Sequence, residues 1–189
     1  GDVMSHMPIT NDAYVASTGE YDYSHILQFA AQQLEEADYA VANLETTLAG
    51  GPNYTGYPTF NSPDALAFDV KEAGFDLLST ANNHSRDKGM NGIYRTLDVL
   101  DEAGLDHVGT YRSQEERDEN SGIHVADVGG ISVAFLSYTY GLNGFRLDSD
   151  KMYAVNLFNL DYYTTLANPD YELLEEDLAA ARALDTDLI

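Results

Sequence analysis

Phe75-Asp76-Leu77-Leu78-Ser79-Thr80-Ala81-Asn82-Asn83-His84 changes character half-way along its length. Its first four residues follow Gly74 and form a short apolar run, the composition of a strand buried in a parallel sheet. From Ser79 onward it gives way to hydroxyls, two amides and an imidazole, with Arg86, Asp87, Lys88 and Gly89 just behind. In open α/β sheets, ligands bind in the crevice beyond the carboxyl ends of the strands. The junction therefore reads as a strand running into a site.

Outward from it, the chain alternates helix and strand. A helix is expected from Ser24, read as its cap, to about Ala37, followed by a buried strand at Tyr39-Ala40-Val41-Ala42 that ends in Asn43-Leu44-Glu45. Ser62-Pro63-Asp64 opens a second helix, with the cap, a Pro at the first helical position and an early acid. Gly74 closes it. A third helix runs from about Asn91 to Ala103. Glu72-Ala73-Gly74-Phe75-Asp76 and Glu102-Ala103-Gly104-Leu105-Asp106 repeat one helix-exit, strand-entry signal after 30 residues, the span of one βα unit. Ser113-Gln114-Glu115-Glu116 has the form of a capping box. Ile123–Val128 and Ile131–Leu136, joined by Gly129-Gly130, read as a hairpin, so the sheet is expected to turn mixed or antiparallel there. Thr139 to Asn168 reads as loop and Pro169 to Ala183 as a last helix. The fold class is α/β with an α+β-like second half.

The totals exclude several functions. The 189 residues suffice for one domain with a real core. With 32 acidic against 9 basic residues and a net charge of −23, no basic footprint exists for nucleic acid. Absence of cysteine removes disulfides and thiolate metal sites. No basic residue precedes Lys71, yet Arg86 and Lys88 flank His84. Gly1-Asp2 looks like the end of a strand and Thr186–Ile189 like the start of another, so the chain reads as a fragment truncated at both ends. Its exposed sheet edges are expected to favour self-association.

Parallel strands put their C-terminal ends on one rim, so Asp2, Asn43 with Glu45, and Asn83 with His84 should meet there although roughly forty residues separate each from the next. Carboxylates, amide oxygen and imidazole suit a divalent cation such as Mn, Fe, Zn or Mg, able to polarise a phosphoryl oxygen. Arg86 and Lys88 would neutralise an anionic or phosphorylated substrate. Taken singly, each has a plainer role: Asp2 as a turn residue, Asn43 and Glu45 as turn caps, Asn82-Asn83 as a tight turn, His84 as a structural imidazole and Asp87 with Gly89 as a helix entry. Their conjunction makes the case for a site.

Gly1-Asp2-Val3-Met4, Ala42-Asn43-Leu44-Glu45, Ala81-Asn82-Asn83-His84 with Asp87 and Gly89, and Ser137-Tyr138-Thr139-Tyr140 with Asn143-Gly144 together resemble the CapA-type capsule-biosynthesis, or poly-γ-glutamate synthesis, family. That family is similar to the calcineurin-like metallophosphoesterases. The resemblance implies a metallophosphatase-like β-sandwich core flanked by helices, of which this chain would be an incomplete part, with Asp2, Asn43, Glu45 and Asn83 as metal ligands and His84 as the catalytic phosphate contact. Met4 stands where the enzymes carry a metal-binding His. Two functions follow from the resemblance: metal-assisted phosphoester hydrolysis in capsule or poly-γ-glutamate synthesis, or a non-catalytic accessory subunit that keeps the fold without the metal. The expected partners are an anionic small molecule or capsule polymer and other capsule-synthesis proteins, at the bacterial cell surface, with any membrane anchor outside this stretch.

Overall fold

A computed structural model describes residues 1–119 and 121–189. Four parallel strands form the central sheet in the order β1 (Asp2–Val3), β4 (Val41–Leu44), β5 (Leu77–Ser79) and β6 (Asp106–Val108). Between β1 and β4 lie α1 (Met7–Asp12), the small antiparallel pair β2 (Tyr14–Val15) and β3 (Glu20–Tyr21), and α2 (Ser24–Glu35). The helices α3 (Ala65–Glu72) and α4 (Gly89–Ala103) are the crossovers into β5 and β6. This is the α/β architecture, a parallel sheet flanked by helices.

The repeated pentapeptide does the same work twice. Gly74 (φ +105°) and Gly104 (φ +72°) take the positive φ that a side chain resists. Phe75 N–H then returns to Val70 O and Leu105 N–H to Leu100 O, closing each helix end. Two residues past each glycine, Asp76 N–H joins Ala40 O and Asp106 N–H joins Asp76 O, starting the next strand in register.

Two cap assignments move. Ser24 lies inside α2, and Asp22 Oδ1 accepts from its N–H at 2.9 Å. Ser62 is buried and hydrogen-bonded to Thr46 Oγ1 at 2.8 Å, while Asp64 holds the cap position without a side-chain cap bond. In both places a nearer polar partner outbids the helix end.

Two apolar clusters share α4. Val99 and Leu100 pack with Leu44, Leu66, Val70 and Leu78 on one side of the sheet. Ile93 and Leu97 pack with Leu142, Leu147, Val155 and Leu157. The second cluster shows that residues 139–168 are structured. They contain a 3₁₀ turn at Ser149–Ala154, are tied to the chain just after β6 through the bridge Thr110↔Val155, and are pinned internally by Thr139↔Leu157. These contacts are non-local, and the segment has no period of its own to announce them.

After α5 (Gln114–Glu119), β7 (His124–Val128) and β8 (Ile131–Phe135) pair as the expected hairpin, with Gly129 and Gly130 both at positive φ. The hairpin is a separate two-stranded sheet and does not extend the parallel one. Leu188 bridges to its Val133, and α6 (Tyr171–Ala183) contributes Ala181 to its small core.

Candidate functional site at the sheet rim

The register sets Asp2, Asn43 and Ser79 abreast at the carboxyl ends of β1, β4 and β5. Their side chains are consecutive links in one network. Asn43 Nδ2 donates to Asp2 Oδ1 at 3.0 Å. Asn43 Oδ1 accepts from Asn82 Nδ2 at 3.1 Å and from Ser79 Oγ at 3.4 Å. Asn82 Nδ2 also reaches Leu44 O at 2.7 Å, and its Oδ1 accepts the His84 N–H at 3.0 Å. The backbone after β5 is folded into this shape by Ser85, whose hydroxyl donates to Thr80 O at 2.6 Å and accepts from Asn82 N–H at 2.9 Å.

His84 is buried and aimed. Its Nδ1 lies 2.7 Å from Asp87 Oδ2, and the Asp87 side chain is fully enclosed. A carboxylate only accepts, so Nδ1 is the donor in this bond. Asp87 Oδ2 also accepts the Phe60 N–H at 2.6 Å, and the Phe60 ring stands edge-on to the imidazole at 4.7 Å. Nε2 lies 3.8 Å from Glu45 Oε1. Asp87, read from sequence as a helix-entry residue, is thus the partner that orients the histidine. Its spacing three residues after His84 was the available signal.

The two adjacent amides divide. Asn82, which the sequence did not single out as a ligand, turns into the strand-end network. Asn83 turns outward and donates to Asn143 Oδ1 at 3.2 Å. Asn143 holds φ +51°, the left-handed region that Asn tolerates better than most residues. Neither Arg86 nor Lys88 makes a hydrogen bond or ion pair with Asp2, Asn43, Glu45 or His84 among the described residues. Lys88 Nζ donates to Thr59 Oγ1 at 3.3 Å, and Arg86 Nε is buried without a partner.

Against the rim opens a cavity of about 680 Å³. Asn43, Ser79 and Asn83 line one side, and Tyr138, Tyr140 and Asn143 the other. Tyr138 donates to Asp177 Oδ2 at 2.8 Å. Burial pushes its hydroxyl far above the usual phenol range, and the bond to Asp177 adds to this, so it stays neutral.

The donor types at the rim are those a hard divalent cation takes, but their arrangement is not a cage. Both amide atoms of Asn43 are engaged by protein partners. Among the described residues no group of three or more His, Asp and Glu is placed to hold a metal ion. As they stand Asn43 is engaged on both amide atoms, Asp2 through Oδ1 and the Glu45 side chain by no hydrogen bond among the described residues, and the set does not form a cation cage.

A parallel sheet flanked by helices, with an interlocked carboxylate–amide–imidazole rim at its strand ends, defines an α/β protein whose polar residues lie where open α/β sheets place their ligands. Sequence comparison narrows it: the bacterial capsule synthesis protein family PGA_cap matches residues 1–189, and the chain belongs to that family. The capsule biosynthesis protein CapA of Bacillus anthracis is 31% identical over 124 residues, 63% of this chain and 29% of its own length. The PGA biosynthesis protein CapA of Bacillus subtilis is 27% identical over 117 residues, 60% of this chain and 30% of its own. An uncharacterized protein of Sinorhizobium fredii, y4sH, is 32% identical over 111 residues. The chain spans less than a third of the length of these relatives. No helix among the described residues is long and apolar enough to cross a membrane.

Proposed function

We propose that this chain carries the substrate-handling rim of a capsule-biosynthesis protein working at the bacterial cell surface, and that its chemistry is hydrolysis of a phosphoester. The observation that supports this is the enclosed His84–Asp87 pair, held at 2.7 Å with Nε2 facing the rim. Asp87 fixes the tautomer and ring orientation, as the acid does in other oriented histidines. Nε2 takes the proton of an attacking water as its oxygen bonds to phosphorus, and returns it to the ester oxygen as the P–O bond breaks. Arg86, whose Nε has no protein partner, is the group left to meet the phosphoryl charge.

Metal-assisted hydrolysis with Mn, Fe, Zn or Mg is the form the family resemblance implies. It requires Asp2, Asn43, Glu45 and Asn83 to exchange their present partners for an ion. A second reading, a non-catalytic accessory subunit acting with other capsule-synthesis proteins, is favoured by Met4 at the position of a ligand and by the engaged amide of Asn43.

The test measures bound metal by mass spectrometry and turnover of p-nitrophenyl phosphate and bis-p-nitrophenyl phosphate, with and without each added cation. Loss of about a hundredfold or more in turnover in His84→Ala, the scale of general acid–base catalysis, supports the hydrolase. A wild-type protein inactive under every cation leaves the accessory reading.

A further inference from the structure

The cavity beside the rim has a composition at odds with the rest of the chain. In a protein with 41 charged residues (32 acidic and 9 basic), its lining includes no Lys, Arg, His, Asp or Glu among the described residues. What faces the space is amide, hydroxyl and tyrosine, with Ala81, Leu136 and Leu166 as aliphatic patches between them. The lining residues themselves carry no countercharge for a polyanion, which a −23 protein would also repel at long range, and the Arg146 guanidinium beside them is stacked on the Tyr163 ring. The lining offers neutral donors and acceptors side by side, together with aromatic faces.

Its volume of about 680 Å³ lies inside the range of small-molecule sites, roughly 300 to 1,000 Å³. The amides are fixed: Asn83 and Asn143 hold each other at 3.2 Å, and the left-handed backbone of Asn143 sets where its amide sits. The rings are propped as well. Tyr140 is 61% exposed and braced edge-on against Phe158 at 5.3 Å. The Arg146 guanidinium lies 3.9 Å over the Tyr163 ring and covers one face. Ring faces carry negative quadrupole charge and attract weakly positive C–H groups, while hydroxyls of a ligand match amide and phenol partners.

We infer that this cavity is a subsite for a neutral saccharide unit, seated between the tyrosines and the Asn83–Asn143 pair. The inference rests on the reading of the rim as a substrate site, because Asn43 and Asn82 belong to both. It places a sugar portion of the substrate beside the atoms that would react.

The test is calorimetric or saturation-transfer NMR titration of the protein with maltotriose and N,N′-diacetylchitobiose as neutral probes, and with glucuronate and tetra-γ-glutamate as anionic ones. The expected result is saturable binding of a neutral probe, weakened tenfold or more by Tyr140→Ala and by Asn143→Gly. The glycine variant keeps the left-handed turn and removes the amide together with its contacts to Asn83 and, at 3.4 Å, to His84 Nδ1, whereas Tyr140 hydrogen-bonds to neither among the described residues and is exposed enough for its loss to leave the fold intact. His84→Ala is expected to change that affinity less than threefold. Failure of both neutral probes to bind, tighter binding of tetra-γ-glutamate, or unchanged affinity in both cavity variants overturns the inference. The two readings fail separately. Sugar binding without phosphoester turnover sinks the hydrolase alone, and His84-dependent turnover without sugar binding sinks the saccharide subsite alone.

Discussion

Along the sheet rim, Asp2, Asn43, Asn82, His84 and Asp87 are joined by successive hydrogen bonds at side-chain and main-chain atoms. The facing wall, residues 137–168, is seated by apolar packing of Leu142, Leu147, Val155 and Leu157 on α4 and by backbone bonds such as Asn156 N–H on Gly109 O. One side spends its side chains on internal order and the other keeps several of them for the cavity. The difference separates two tasks. A proton-carrying group must be aimed before the ligand arrives, whereas groups that recognise a ligand must be left with capacity to bond it.

The seam between the two regions should be the most sensitive place to break this contrast. Gly109 follows β6 at φ +113°, and a Cβ there would meet Ala81 Cβ at 2.7 Å, Ala81 N at 2.8 Å and Ser137 Oγ at 2.9 Å. Gly109→Ala combines overpacking with backbone strain and is expected to cost about 3 kcal/mol or more. Urea denaturation checks it. A cost below about 1 kcal/mol would mean that rim and wall are not tightly seated.

Next in size is Asp87→Ala, which leaves the Phe60 N–H and His84 Nδ1 without an acceptor in the interior. Unpaired buried groups of this kind cost about 1–3 kcal/mol each, so a total loss of about 3 kcal/mol is expected. Proton NMR should show the Nδ1–H resonance of His84 in the parent and its disappearance in the variant. Parent-like stability would show that the rim is no more interlocked than the wall.

The smallest effect is a pH dependence where the hairpin meets the sheet edge. His124 Nε2 lies 3.2 Å from Tyr39 Oη and 3.4 Å from Asp106 Oδ2. Burial holds this imidazole below its ordinary value of 6.5, with His107 acting the same way and Asp106 opposing. The unfolded chain therefore takes up a proton first as the pH falls. Stability is then full above about 6.5 and declines below it. The side chain is 22% exposed, and with solvent screening the change should stay below about 1 kcal/mol. Melting temperatures of wild type and His124→Gln between pH 8 and 5 should converge at the acid end. Parallel curves would remove His124 from the account.

Much of this was legible in the chain. The change from apolar to polar at Ser79 marks the end of β5, and the two Glu-Ala-Gly exits mark both helix ends because glycine there is a local requirement. The parallel rule then brings Asp2, Asn43, Glu45 and His84 to one rim. Two things were hidden. Which of two neighbouring asparagines turns inward depends on the Ser85 hydrogen bonds to Thr80 and Asn82, a turn geometry that composition does not encode. The wall was read as loop because its buried Leu142, Leu147 and Leu157 answer to Ile93 and Leu97 on α4 and to Ala81, and to no period of their own.

Phe60 carries a consequence of its own. It lies 24 residues before the histidine, on an excursion that leaves the sheet after Leu44, and delivers an N–H to Asp87 and a ring edge to His84. The aim of the imidazole is therefore set partly from outside the sheet. In the proposed reaction, substitutions at Phe60 are expected to change the aim of His84.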